Sequence, residues 1–96
     1  MTPELNPSFV APARLKAMTM LTAVSEAEFA TVRDALEVSD SVLSKHLSAL
    51  EEAGYVQRRK GTHRGRRTTW LALTDAGRTA LSAHVAALRT LIRGVE

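Results

Sequence analysis

Small polar side chains and one lysine recur at helical spacing in the middle of the chain, directly before a strongly basic stretch. The small polar positions and the lysine are Ser39, Asp40, Ser41, Ser44, Lys45 and Ser48. The stretch from Tyr55 to Trp70 contains no Asp or Glu, and its cations are Arg58, Arg59, Lys60, Arg64, Arg66 and Arg67. Hydroxyl and ammonium groups can hydrogen-bond to base edges, and clustered cations attract a polyanion better than scattered ones. These residue types therefore favour contact with a nucleic acid.

The leucine spacing predicts a helix over residues 39–53. Its buried side is defined by leucines at intervals of four and three, namely Leu43, Leu47 and Leu50. Ser39 can cap the first turn, and Asp40 is favourable near the positive N-terminal end. Gly54 can provide a left-handed C-cap, after which the chain becomes extended. The helix is thus bounded at both ends by residues suited to stop it.

The outward face of this helix holds short polar side chains and the lysine. A helix that enters a major groove about 12 Å wide needs short side chains near its N-terminal half, with donors that reach bases or phosphates. An ordinary solvated face is the alternative, but such a face is more often rich in Glu, Lys and Gln. The outward candidates for nucleic-acid contact are Asp40, Ser41, Ser44, Lys45 and Ser48, with Ser39 at the cap.

The basic stretch is predicted to form a β-hairpin over residues 55–73. The turn is placed between Gly61 and Gly65, and Leu71 and Leu73 share one face of the returning strand. Trp70 is interpreted as a packing residue on the other face, since single-strand binders usually use several aromatic side chains. A solvated basic loop is the alternative. Candidate phosphate contacts are Arg58, Lys60, His63, Arg66 and Arg67, with Arg64 at the tip, within reach of a minor groove or phosphate.

Two shorter helices are predicted before these segments. The first covers residues 11–24, with Pro12 in its first turn, where the missing N–H costs nothing. Residues 25–30 are predicted to form a loop or a very short extended piece. The second helix covers residues 31–37, capped by Thr31 with Asp34 three residues later. The second and third helices together constitute a helix-turn-helix.

The last helix is predicted over residues 74–93, with Thr74 as its cap, Asp75 in the first turn and Gly94 as its stop. Its apolar residues recur at spacings of four and three, the repeat of a helix that packs along another helix. The first helix is apolar on two sides, so one side requires a second partner. Packing within one subunit alone is the alternative. The predicted homodimer interface consists of Val10, Ala13, Ala17, Leu81, Val85, Leu88 and Ile92.

Composition restricts the fold class and the compartment. The chain has 96 residues, about the length of one domain, and 45% hydrophobic but only 4% aromatic residues favour an all-helical or helix-dominated fold. With the hairpin predicted above, the fold class is mainly α with a small β-hairpin wing. Cysteine is absent, which excludes disulfides, thiolate metal sites and cysteine nucleophiles. The N-terminal MTPELNPSF does not resemble a signal peptide, and no apolar run of about 18 residues follows. We expect a cytoplasmic protein with no membrane partner.

Catalytic and metal chemistry find little support in the sequence. There is no glycine-rich phosphate loop, no nucleophile with an adjacent base, and no suitably paired carboxylates, so an enzyme is not expected. His46, His63 and His84 fall on the third helix, the hairpin and the last helix, without metal-ligand spacing. No metal and no cofactor are therefore expected.

The segments SVLSKHLSALEEAGYV and LTDAGR, on either side of the basic hairpin, resemble the winged helix-turn-helix transcriptional regulators of the MarR and ArsR type, and most closely their short single-domain members. The resemblance covers residues 7–91. It implies a three-helix core, a wing and a C-terminal dimerisation helix. It also implies a dimeric repressor or activator with its third helix in the major groove. By the resemblance, recognition-helix positions fall on Ser41, Ser44, Lys45 and Ser48, and the wing tip on Arg64.

The chain departs from this pattern at two points. It lacks the cysteine pair of many metal-sensing ArsR relatives, which argues against thiolate metal sensing. It also lacks the long terminal extensions that build the ligand cleft of full-length MarR proteins, so the existence and identity of a small-molecule effector stay open.

The preferred functional prediction is a sequence-specific regulator that binds double-stranded DNA as a homodimer. Two recognition helices related by a two-fold axis would read an inverted repeat with half-sites roughly 34 Å apart. Two other classes remain open: a winged-helix module used for protein contacts, and a nonspecific nucleic-acid binder.

Overall fold

The computed structural model describes residues 4–95, and within them four helices and a three-stranded antiparallel sheet follow a short 3-10 turn at Pro7–Phe9. In chain order the elements are α1 Pro12–Thr22, β1 Ala27–Glu28, α2 Phe29–Leu36, α3 Asp40–Glu52, β2 Val56–His63, β3 Arg66–Leu73 and α4 Asp75–Arg93. The strand order is β1-β3-β2. The hairpin of β2 and β3 forms the wing, and the predicted mainly α winged helix-turn-helix fold is confirmed.

One apolar core joins the helices to the base of the wing. The leucine stripe of α3 is fully buried, as predicted, and it meets buried side chains of α1, α2, α4 and the wing. The core consists of Phe9, Ala17, Met18, Leu21, Val32, Leu43, Leu47, Leu50, Val56, Leu71, Leu73 and Leu81. Because α3 and the wing share this core, the outward face of α3 is fixed relative to the hairpin.

The caps of α3 and α4 follow the predictions. The Ser39 hydroxyl accepts a hydrogen bond from the Val42 amide at 3.2 Å, and the Thr74 hydroxyl accepts one from the Gly77 amide at 2.9 Å. Gly54 has a φ of 82°, and the amide of Tyr55 donates to Leu50 O at 2.9 Å. These bonds satisfy groups that a helix end leaves without an intrahelical partner.

The predicted start of the second helix is wrong. The helix begins at Phe29, and its N-cap is Glu28, which makes no side-chain cap bond, so Thr31 lies inside the first turn. The reason is the short strand β1, in which Ala27 and Glu28 pair with Leu71 and Trp70 of β3. The sheet positions the chain directly at the helix start. The very short extended piece predicted for residues 25–30 is this strand.

The wing turn is also tighter than predicted. Both strands continue to His63 and Arg66, so the turn consists of Arg64 and Gly65 alone, with φ values of 51° and 79°. Two successive positive φ values are typical of the two-residue hairpin turns that match strand twist. Gly61 lies within β2 instead of at the turn, and a Cβ there would come within 3.0 Å of the Trp70 ring. A packed strand therefore replaces the predicted five-residue turn.

Phe9 anchors the segment before α1 to the last helix. Its ring contacts the rings of Tyr55 and His84, with centroids 5.4 and 5.2 Å away. The backbone amide of Asn6 donates to His84 Nδ1 at 2.8 Å, and the Asn6 side-chain amide donates to the Tyr55 hydroxyl at 3.0 Å. The buried imidazole of His84 is thereby hydrogen-bonded. No helix in residues 4–95 has the length and apolar character needed to cross a bilayer.

Candidate nucleic-acid interface

Helix α3 presents a polar outward face opposite its buried leucines. Ser41, Lys45 and Ser48 are exposed on this face, and Lys45 makes no ion pair with any residue in the range 4–95. Val42 lies beside them with 43% of its surface exposed, the largest exposed apolar side chain of the helix. Val42 was not among the outward positions predicted from the sequence. An exposed valine here can pack against a thymine methyl group.

Arg58 was predicted to contact phosphate, but its side chain joins the wing to α3. Its Nη1 and Nη2 donate to the hydroxyls of Ser44 and Ser48, each at 3.0 Å, and its Nε bonds to the Glu51 carboxylate. The hydroxyl of Ser48 also donates to Ser44 O at 3.0 Å. Two of the serines predicted to face DNA are thus hydrogen-bonded within the protein. The guanidinium thereby joins α3 to the first wing strand.

Asp40 is exposed at the start of α3 but is paired with α2. The Arg33 guanidinium donates to Asp34 and Asp40, each at 2.8 Å. The hydrogen bond to Asp34, and after it the one to Asp40, raises the pKa of Arg33 above its ordinary value. The ion pair with Arg33 offsets the negative charge of Asp40, which would otherwise repel a phosphate near the N-terminus of α3. Arg33 also bridges the two helices of the helix-turn-helix.

The wing has two chemically different faces, because side chains alternate along each strand. One face continues the surface of α3: Lys60 pairs with Thr69 and Thr62 with Arg67. This face and the start of α3 form the two sides of an open groove of about 640 Å³. The groove is lined by Phe29, Asp40, Ser41, Ser44, Arg58, Lys60 and Thr69. The predicted contacts Lys60 and Arg67 therefore lie on the same side as Ser41.

The opposite wing face is held against β1 by acidic residues. The Glu26 carboxylate accepts from Arg59 at 2.9 Å, and the Glu28 carboxylate accepts from the Thr68 hydroxyl at 2.8 Å. His63 lies 3.7 Å from Glu28, and its ring meets the edge of the Trp70 ring at a centroid distance of 5.6 Å. Trp70 is thus a packing residue on this face. Of the predicted phosphate contacts, His63 belongs here, away from α3, as does its cross-strand partner Arg66.

Arg64 is exposed at the wing tip, as predicted. Its positive φ places it in the first position of the two-residue turn, so its side chain extends beyond both strands. Among residues 4–95 it takes part in no ion pair. A cation without a partner on a projecting turn suits a phosphate or a narrow minor groove.

His46 is hydrogen-bonded to a side chain of α1. Its Nδ1 accepts a hydrogen bond from Arg14 Nε of α1 at 3.0 Å. Burial, followed by the positive charges of Arg14 and Lys45, lowers the pKa of His46 below its ordinary value of 6.5. The imidazole is therefore neutral at neutral pH and can act as the acceptor that this bond requires.

Comparison with known proteins agrees with this geometry. The family model described as a winged helix DNA-binding domain matches residues 13–92. The chain belongs to this winged helix family. An uncharacterised protein of Methanocaldococcus jannaschii is 30% identical over 83 residues, which are 86% of this winged helix chain and 90% of that protein.

Solved structures extend the comparison to transcriptional regulators. A transcriptional regulator homologue from Pyrococcus horikoshii superimposes with a TM-score of 0.86 at 26% identity, covering 93% of this winged helix chain and 88% of that one. The zinc-responsive MarR family member ZitR of Lactococcus lactis shares the fold with a TM-score of 0.66 at 18% identity, covering 94% of this chain and 61% of its own. The predicted resemblance to winged helix transcriptional regulators is confirmed, and the MarR family member ZitR has the same fold.

The predicted dimer residues of the winged helix domain divide into three groups: buried, partly buried and exposed. Ala17 and Leu81 are 0% and 6% exposed in the core of their own chain, so they are not available to a partner. Val85 packs against that core, and Ala13 and Leu88 are half-buried. Val10 and Ile92 are 69% and 52% exposed. The sequence predicted two apolar sides for α1. Its buried residues, Ala17, Met18 and Leu21, lie close together around the helix and face the same core.

An uncovered apolar surface remains at the end of the winged helix domain. From residue 89 to residue 95 every side chain of the last helix and its end is exposed. At about 100° per residue, Leu91 and Ile92 fall on the side of α4 that Leu81 and Ala87 bury in the core, and Val95 follows just after the helix end. The core-facing stripe of α4 thus continues beyond the rest of the domain.

Replacing Arg58 by alanine in the winged helix domain is expected to lower the free energy of unfolding by about 1–2 kcal/mol, since it removes three hydrogen bonds and leaves the half-buried Glu51 unpaired. Chemical denaturation followed by circular dichroism measures this change. Gln57→Ala, at the exposed neighbouring position on the other wing face, is the control and should change stability by less than about 0.5 kcal/mol. Equal stabilities of the two variants would show that the hydrogen bonds of Arg58 to α3 contribute nothing to the stability.

Proposed function

We propose that this protein is a non-catalytic transcriptional regulator that acts in the cytoplasm and binds a specific double-stranded DNA sequence as a homodimer. The observation that supports this most directly is the common orientation of two polar surfaces. Ser41, on the outward side of α3, lines the same groove as Lys60, on the wing face that also carries Arg67. Lys45 is exposed one turn of α3 after Ser41. A helix in the major groove and a basic wing on the neighbouring backbone need this arrangement.

In this proposal the two surfaces have different tasks. Ser41, Val42 and Lys45 read base edges, because their side chains are short or flexible and exposed on the N-terminal half of α3. Lys60, Arg64 and Arg67 contact phosphates or the minor groove and supply affinity that does not depend on sequence. Arg58 keeps the two surfaces in register through its bonds to Ser44 and Ser48.

The uncovered end of α4 supports a dimer. Leu91 and Ile92 extend the apolar stripe of that helix, Val95 follows just after its end, and Val10 is exposed at the start of α1. Association of two copies through these residues would cover them and would present two copies of α3 to one face of the duplex. An inverted repeat with half-sites roughly 34 Å apart, or a multiple of that distance, is the expected target.

Selection of bound fragments from genomic DNA, followed by titration of the enriched sequence, tests the proposal. Lys45→Ala is expected to weaken binding to the selected duplex about tenfold and to change binding to unrelated duplex much less. Arg64→Ala should weaken both to a similar degree, because a phosphate contact carries no sequence information. Arg89→Ala, on the exposed side of α4, is the control for a simple loss of positive charge.

The other functional classes are distinguishable outcomes of the same titration. Wild-type binding that is equal for all duplexes, with no effect of Lys45→Ala on selectivity, would identify a nonspecific binder. Absence of binding to any duplex below micromolar concentration at modest salt would favour a module for protein contacts.

A further inference from the structure

A helix that lies in the major groove has a phosphate backbone on each side. The groove is about 12 Å wide and a helix with its side chains is about 10–12 Å across, so both flanks of the helix approach phosphates. The wing serves one flank of α3, where Arg58 reaches Ser44 and Glu51. No predicted nucleic-acid contact lies on the other flank.

His46 marks that second flank. At about 100° per residue it lies roughly 160° around α3 from Ser44, the residue that faces the wing. Arg14 extends from α1 to this position, and its Nε donates to His46 Nδ1 at 3.0 Å. Lys45 is adjacent in the chain and exposed. Arg14 and His46, from two helices, therefore border α3 on the side away from the wing, and with the neighbouring outward Lys45 they form a basic cluster.

No carboxylate neutralises this cluster within the part of the chain that the structure describes. The ion pairs found in residues 4–95 involve Arg33, Arg58, Arg59 and His63, and neither Arg14 nor Lys45 is among them. The charges of Arg14 and Lys45 are strong enough to lower the pKa of His46, after the larger effect of burial. A positive cluster held together without an acidic partner suits an external anion.

His46 determines which part of Arg14 remains available. Because Nδ1 of the neutral imidazole is the acceptor, its proton is on Nε2. The bond occupies Arg14 Nε, while Nη1 and Nη2 keep four N–H donors in one plane. That planar set matches the oxygens of a phosphate group.

We propose that Arg14 contacts a DNA phosphate on the flank of the recognition helix opposite the wing, and that His46 is the residue that positions it. This inference rests on the proposed DNA binding and deepens it. The duplex is then held by basic groups on both borders of the major groove: the wing on one side and α1 on the other. The contact is with the backbone and contributes equally to all sequences.

Salt dependence of DNA binding tests the role of Arg14. Arg14→Gln is expected to weaken binding several-fold for the selected duplex and for an unrelated one alike. It should also reduce the steepness of log Kd against log salt concentration by about 0.9, the effect of one lost phosphate contact. Lys16→Gln is the matched control, because it removes the same charge two residues away, on the side of α1 that adjoins α2. Its slope should equal that of the wild type.

A second series separates a positioning role of His46 from a merely structural one. His46→Gln keeps a side-chain oxygen that can accept from Arg14 Nε, and it should retain the wild-type salt slope. His46→Ala removes the acceptor and should lower the slope towards that of Arg14→Gln, with the melting temperature of each variant measured alongside. Equal slopes for His46→Ala and the wild type would show that Arg14 needs no positioning and would overturn that part of the proposal.

Neutral phosphates in the DNA give a test that needs no altered protein. Methylphosphonate groups placed one at a time in the selected duplex should weaken wild-type binding on both borders of the major groove. Interference confined to the wing border, or a wild-type slope in folded Arg14→Gln, would overturn the inference while leaving DNA binding intact. Failure of the wild type to bind any duplex would overturn the proposed function as well, and the two failures are thus distinct.

Discussion

Replacing Gly77 by alanine is expected to lower the free energy of unfolding by about 3 kcal/mol or more. Gly77 is buried in the first turn of α4, where that helix crosses the start of the wing. A Cβ at this position would overlap the Tyr55 carbonyl oxygen and lie 3.0 Å from its carbonyl carbon. The total stability of such a domain is about 5–15 kcal/mol, so this one methyl group would remove a large share of it.

Moving the Tyr55 carbonyl away would be costly, because both the carbonyl oxygen and the amide of Tyr55 are hydrogen-bonded. Its oxygen accepts from the Thr74 amide at 3.0 Å, and the Tyr55 amide donates to Leu50 O at 2.9 Å. Relief of the overlap would require α4 to separate from the wing or the C-cap of α3 to open. Either movement exposes core residues such as Val56 or Leu81.

Urea denaturation of Gly77→Ala beside Gly94→Ala measures this effect. Gly94 is exposed, has a φ of −67°, and a Cβ there would lie 3.4 Å from Leu91 O, so its replacement should change stability by less than about 1 kcal/mol. A midpoint for Gly77→Ala equal to that of the control would mean that α4 can shift on the wing without loss of packing.

Gly77 also shows where prediction from sequence ends. The segment LTDAGR was informative as a family resemblance, and Thr74 was identified as a cap from local chemistry alone. The requirement for glycine comes instead from a backbone more than twenty residues earlier, at Tyr55. No local rule connects these two positions, because the contact exists only after α4 has packed across the wing.

Local signals predicted the recognition helix almost completely. The cap at Ser39, the buried stripe through Leu47 and the left-handed Gly54 all depend on neighbours within one or two turns. The start of α2 failed for the opposite reason: pairing of Glu28 with Trp70, 42 positions away in the chain, overrides a favourable cap residue at Thr31. Long-range strand pairing cannot be read from the few residues that surround a helix start.

In the candidate interface, too, features set by local sequence were predicted and features set by long-range packing were not. The outward position of Lys45 and the exposed tip at Arg64 follow from helical spacing and turn chemistry, and the structure places both on the surface. The attachment of Arg58 to α3 depends on the packing of the wing, and a list of basic residues cannot reveal it. Periodicity also could not decide whether an apolar stripe faces its own core or a partner, so Ala17 and Leu81 were assigned to the wrong surface.

Ile92→Glu is expected to convert the proposed dimer into a folded monomer and to weaken binding to the inverted repeat by about a hundredfold or more. Ile92 is 52% exposed and Leu91 beside it 59% exposed, so a charge there disturbs no core contact of its own chain. Burying that charge among the apolar side chains of a subunit interface would be costly. Sedimentation at micromolar concentration measures the mass, and titration of the duplex measures the affinity.

The large effect on DNA affinity follows from the linkage of two recognition helices. When one subunit is bound, the second half-site is presented to its partner at a high effective concentration, and that advantage disappears in a monomer. Binding of Ile92→Glu to a single half-site should therefore equal that of the wild-type subunit. Thr90→Glu adds the same charge on the opposite side of α4 and should remain dimeric. A dimeric Ile92→Glu would place the interface elsewhere on the chain, whereas a monomeric wild type at micromolar concentration would remove the homodimer altogether.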